Sequence, residues 1–133
     1  MTIENRVRKV VTEDDHKAFM LLFDEDPGDW REEPEQYDEI LSKFRKTFDD
    51  CVRMVESNIG TPSYIEREYS KRSPDWAPMG LYADWMIKGT DSIICIFMGG
   101  DGNPEDPLTL IAGRTRSEAR FSPDDPWDWQ WID

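Results

Sequence analysis

An apolar stripe running from Tyr37 to Ile59 constrains this chain more than any other feature. Tyr37, Ile40, Leu41, Phe44, Phe48, Cys51, Val52, Val55 and Ile59 recur at three- and four-residue steps. That spacing puts them on one face of an α-helix. Lys43, Arg45, Lys46, Asp49, Asp50, Arg53 and Glu56 fill the other faces. Pro34 suits a first helical turn, and Glu32, Glu33 and Glu35 suit the positive end of the helix dipole. Gly60 and Thr61-Pro62 stop the helix. The spacing thus predicts a helix over Pro34–Ile59, and a helix so one-sided needs an apolar surface to cover.

Later segments supply that surface as strands. Tyr82–Lys88 carries Tyr82, Trp85 and Ile87, and Ser92–Met98 is continuously apolar and β-branched, as a central strand would be. Leu108–Gly113 is a third strand. Gly89-Thr90-Asp91 and the longer run Gly99–Pro107 are turns between them. Three strands joined locally make an antiparallel meander.

The first sixty residues read as helical. Ile3, Val7, Val10 and Val11 fall at helical spacing. Thr12 is placed to cap a second helix with the stripe Ala18, Phe19, Leu22 and Phe23, ended by Asp24-Glu25-Asp26-Pro27-Gly28-Asp29. Ser63–Met79 reads as a short helix or an irregular connection, with Ser73–Pro78 a loop. The expectation is one α+β domain over 1–133, helical over about 1–60 and strand-rich over about 80–133. Its N-terminal helices, including the long amphipathic one, would pack on a small antiparallel sheet of three or more strands. Phe44, Phe48, Val52, Val55, Ile94, Ile96 and Leu110 are the expected core. Cys51 and Cys95 form no C-x-x-C unit and read as buried free thiols.

Charge bears on partners. Asp plus Glu number 29 against 16 Lys plus Arg, a formal net charge of −13. Such a surface repels nucleic acid and anionic lipid and attracts a basic protein. Met1–Glu13 lacks the apolar core of a signal peptide, and the run Ile93–Met98 is too short to span a bilayer. A cytoplasmic location is the resulting expectation, with the oligomeric state open.

No motif for catalysis, metal or cofactor emerges. His16 is the only histidine, and it lies in a charged stretch that suits a solvent-facing side chain. Asp101, Asn103 and Glu105 alternate like calcium ligands, but Asp106 and Ala112 stand where an EF-hand needs Gly and Glu. The nearby glycines are followed by carboxylates and Pro rather than a phosphate-binding Lys. Among so many carboxylates, neighbouring pairs carry little meaning. Glu66 and Glu68, set between Tyr64, Ile65 and Tyr69, are the pair to watch. The chain is therefore read as a non-enzyme without a cofactor.

The tryptophans point to binding. Trp127, Trp129 and Trp131 alternate, so an extended tail would place them on one side, with Asp124, Asp125 and Asp128 beside them. Trp30 sits among Asp29, Glu32 and Glu33, just after Asp24, Glu25 and Asp26. Aromatic residues ringed by acids suit a basic partner with apolar pockets. The other reading of the tail is that it folds back to complete the core or the sheet edge. On the first reading, the loop Asp24–Glu33 and the tail Asp124–Trp131 contribute to one electronegative surface.

In size, acidity, acidic-aromatic loops and lack of catalytic residues, the chain resembles bacterial toxin-immunity proteins. The stretch from Pro74-Asp75-Trp76 through Ala83-Asp84-Trp85, with the turn through Asp101 and Pro107-Leu108, also looks like a pattern of small bacterial proteins. The resemblance is one of class, and no functional residue transfers with it. It implies a protein that neutralises a toxin domain, commonly a basic nuclease, by covering its active site. The competing readings are a small enzyme that uses carboxylates, a DNA mimic and an adaptor. Arg6, Arg8, Lys9, Lys43, Arg45, Lys46, Arg67, Lys71 and Arg72 interrupt the run of negative charge that a DNA mimic needs.

Overall fold

The structure is a computed structural model and describes residues 1–68, 80–99, 106–120 and 130–132. In chain order these form α1 (Ile3–Thr12), β1 (Lys17–Asp24), α2 (Pro34–Ile59), β2 (Tyr64–Glu66), β3 (Tyr82–Met86), β4 (Ser92–Gly99), β5 (Leu108–Arg116) and β6 (Gln130–Ile132). A 3₁₀ turn over Ser117–Ala119 follows β5. The class is α+β, as the patterns imply, with both helices packed on a largely antiparallel sheet.

The strand order is β2-β3-β4-β5-β1-β6. β2 through β5 form the antiparallel meander, β1 adds antiparallel to β5, and β6 runs parallel to β1 at the edge. Every residue of β4 is buried. One face of the sheet carries Ala83, Trp85, Ile94, Ile96, Met98, Leu110 and Ala112, packed in one cluster with Val7 and Val10 of α1 and Phe44, Phe48, Val52 and Val55 of α2. All seven expected core residues lie in it. Burying each large side chain contributes about 1.5–3 kcal/mol.

α2 has the bounds its sequence signals set, Pro34 to Ile59. Gly60 ends it at φ 101°, with its N–H donating to Glu56 O at 2.9 Å. The Gly60 carbonyl in turn accepts from Trp85 Nε1 at 2.9 Å, tying the helix end to β3.

Two expectations need correction. Thr12 caps no second helix, because Lys17–Asp24 is a strand. A β-bulge lies between Met20, opposite Ile111, and Leu22, opposite Leu110. The inserted Leu21 shifts the two-residue alternation by one. Leu22 therefore joins Phe19 and Leu21 on the helix side, while Met20 and Phe23 stand exposed, 38% and 49% accessible. The supposedly helical first sixty residues thus contribute a strand between β5 and β6. Second, Tyr64–Glu66 forms β2 rather than a short helix or an irregular connection. β5 also runs past Gly113 to Arg116. The loop assigned to Ser73–Pro78 and the calcium-like run Asp101–Glu105 lie outside the described residues.

Candidate partner-binding surface

The first acidic loop leaves β1 at Asp24. The Asp24 carboxylate accepts from Asp26 N at 3.0 Å, a local turn that ends the strand. Glu25, Asp26, Glu32 and Glu33 are exposed, and Asp24 is half-buried. The exposed acids continue through Glu35, Asp38 and Glu39 on the first turns of α2. Arg31 is the only cation in this run.

Asp29 differs from its neighbours. Its carboxylate is buried, accepting Arg31 N at 2.8 Å and Arg31 Nη2 at 3.1 Å. Its carbonyl accepts from the backbone N–H of Glu32 and Glu33. The Arg31 guanidinium holds the Asp29 carboxyl below its usual pKa. Asp29 therefore shapes the loop, and Arg31 is committed to it. Gly28, at φ 90°, lies so close to Gln36 that an added Cβ would stand 3.0 Å from its Nε2, which packs the loop on α2.

Trp30 is 44% accessible, so this loop presents both a large aromatic and exposed carboxylates. Phe23, at the strand end, is exposed beside them. The sequence reading placed Phe23 in a helix stripe. Its exposure was legible only with the bulge at Leu21, which fixes the face it points to. Trp127, Trp129, Asp124, Asp125 and Asp128 lie outside the described residues. The tail does return to the sheet edge, where Gln130 pairs with Lys17 and Trp131 with Ala18. The loop starts at the far end of the same strand, roughly 23 Å away at about 3.3 Å per residue.

A second polar constellation lies on the other face of the sheet, which has its own apolar cluster of Ala18, Tyr82, Ile93, Cys95, Phe97 and Ile111. Asp84 is wholly buried there. Its Oδ2 accepts from Tyr82 OH at 2.6 Å and from Arg120 Nε at 2.7 Å, while Oδ1 has no hydrogen-bond partner among the described residues. Arg120 lies over the Tyr64 ring at 5.7 Å. Burial raises the Asp84 pKa, and Tyr82 and Arg120 pull it partly back. Burial likewise pushes up the thiols, Cys51 to about 12 and Cys95 further. Both are free cysteines.

These sites offer ion pairs, exposed carboxylates and exposed aromatic area. Among the described residues no three His, Cys, Asp or Glu converge as metal ligands. One cleft, about 140 Å³, lies between α1 and α2 and is lined by Val7, Arg8 and Met54. Another, about 270 Å³, is lined by Arg45, Asp49, Arg67, Glu68 and Leu81. Asp84 lines neither among the described residues. No described helix is long and apolar enough to cross a membrane. No family model, curated protein or solved structure matches the chain.

Proposed function

We propose that the chain is a protein-binding domain of the immunity type, which binds a basic toxin domain and neutralises it. The observation that carries this reading is the surface from Phe23 to Glu39. Exposed Phe23 and Trp30 stand within a run of carboxylates whose one cation, Arg31, is bound to Asp29. Carboxylates of this kind steer a basic partner, and the two aromatics supply short-range contact area. Wholly buried Asp84, tied to Tyr82 and Arg120, supports a structural role for this carboxylate.

The test is to recover the protein that co-purifies with the tagged chain from its native cell. Its activity is then assayed with increasing amounts of the chain. A basic partner whose activity falls to zero at equimolar chain is the expected result. A partner that stays fully active when saturated removes the inhibitory role. An acidic partner removes the electrostatic argument.

A further inference from the structure

Among the described residues, β6 covers only part of one edge of β1. Its pairs among the described residues are with Lys17, Ala18 and Phe19. From Met20 to Asp24 the described ladder is on the β5 side alone. The other hydrogen bonds of this stretch among the described residues are from Arg6 Nη1 to Met20 O and from Asp26 N to Asp24 Oδ1. Among the described residues, no strand receives the outward N–H and C=O groups of Leu21–Asp24. Such an edge is a template for another extended chain.

We infer that Leu21–Asp24 receives an extended segment of the basic partner as an added strand; this rests on the reading in the preceding subsection. Charge selects the occupant. The edge ends at Asp24, Glu25 and Asp26, so a second copy would bring a like set of carboxylates against it, whereas a segment rich in Lys or Arg would be attracted. Side chains select the form. Phe23, exposed on the face away from the helices, would lie beside alternate residues of an added strand. Backbone pairing then supplies affinity, and Phe23 with the carboxylates supplies selectivity.

The experiment uses the full chain and a short alternating Lys–Val peptide. Hydrogen exchange and binding are followed at low and high salt. Three comparisons accompany it: the same peptide N-methylated at alternate residues, an alternating Glu–Val peptide, and the chain alone over a range of concentrations. The Lys–Val peptide should slow exchange at the outward amides of Leu21–Asp24 by at least about tenfold, and N-methylation should weaken binding by at least about tenfold. If the N-methylated peptide binds as tightly, strand addition is overturned while the electrostatic reading stands. If the Glu–Val peptide protects the same amides equally, the basic occupant is overturned. Protection that rises with chain concentration alone replaces the partner with a second copy. If no peptide changes exchange at these amides, the edge takes no strand, and the immunity role still rests on its own partner assay.

Discussion

Arg120 Nε donates to Asp84 Oδ2 at 2.7 Å, which ties the chain just beyond β5 to the interior of β3. Arg120 is 22% accessible at its side chain and Asp84 is fully buried. Arg120→Leu leaves a buried carboxylate without this cation. Breaking a buried pair costs about 3–5 kcal/mol, and the lower end is expected here because Arg120 keeps some solvent. Asp84 already has a raised pKa in the folded state, and losing Arg120 raises it further. For such a group the stability contribution is complete below the unfolded pKa of about 3.9 and is lost as pH rises through the folded value. The deficit of Arg120→Leu should therefore be small near pH 4 and grow toward pH 7. Urea midpoints of both proteins across that range measure it, and a deficit independent of pH would separate Arg120 from the Asp84 charge.

Asp29 should show the opposite sign. Arg31 lowers its folded pKa, so its contribution is present above the unfolded value and is lost as pH falls through the folded one. Asp29→Asn should lower the urea midpoint at pH 7 and lose its effect at acid pH. An equal loss at both ends would mean that packing, not the Arg31 pair, holds the loop.

Phe48 is fully buried between α2 and the sheet. Phe48→Ala should destabilise the fold by about 3–5 kcal/mol in equilibrium denaturation. A loss below about 1 kcal/mol would contradict its place in the core.

Acids and aromatics of the loop should fail differently against the recovered partner. Combining Asp24→Asn, Glu25→Gln and Asp26→Asn should slow association, with an effect that shrinks as salt rises. Trp30→Ala or Phe23→Ala should leave association nearly unchanged and speed dissociation roughly thirtyfold, the equivalent of about 2 kcal/mol. Surface binding kinetics at two salt concentrations separate the effects. Unchanged kinetics in all variants would move the interface elsewhere.

Cys51 and Cys95 are buried with raised pKa values, so neither holds thiolate at pH 8. A thiol reagent should label neither until denaturant unfolds the chain. Labelling in native buffer would show that local opening reaches α2 or β4.

The sequence made α2 legible because its stripe never changes period between Tyr37 and Ile59 and both ends carry stop signals. β4 was legible because a fully buried strand shows as an unbroken apolar run. β1 was not. The extra residue Leu21 changes the phase of its alternation, so Ala18, Phe19, Leu22 and Phe23 fell at helical steps although they lie on a strand. The acidic loop was visible as composition. The special place of Asp29 was not, because Arg31 and the Glu32 and Glu33 amides single it out only in three dimensions. Asp84 looked like any other acid, since its partner Arg120 is 36 positions away.

The pairing of Lys17 with Arg114 has a consequence for how the protein is made. At ~5–20 residues per second, a ribosome takes roughly 5–20 s between adding one and adding the other. Through that interval β1 has neither of its neighbouring strands. α2 is complete before the middle of that interval, yet β4 and β5, which its stripe covers, are added only toward its end. The nascent chain therefore carries an unpaired strand and an uncovered helix face until β5 is synthesised, and factors that shield apolar segments at the exit tunnel meet it in that state.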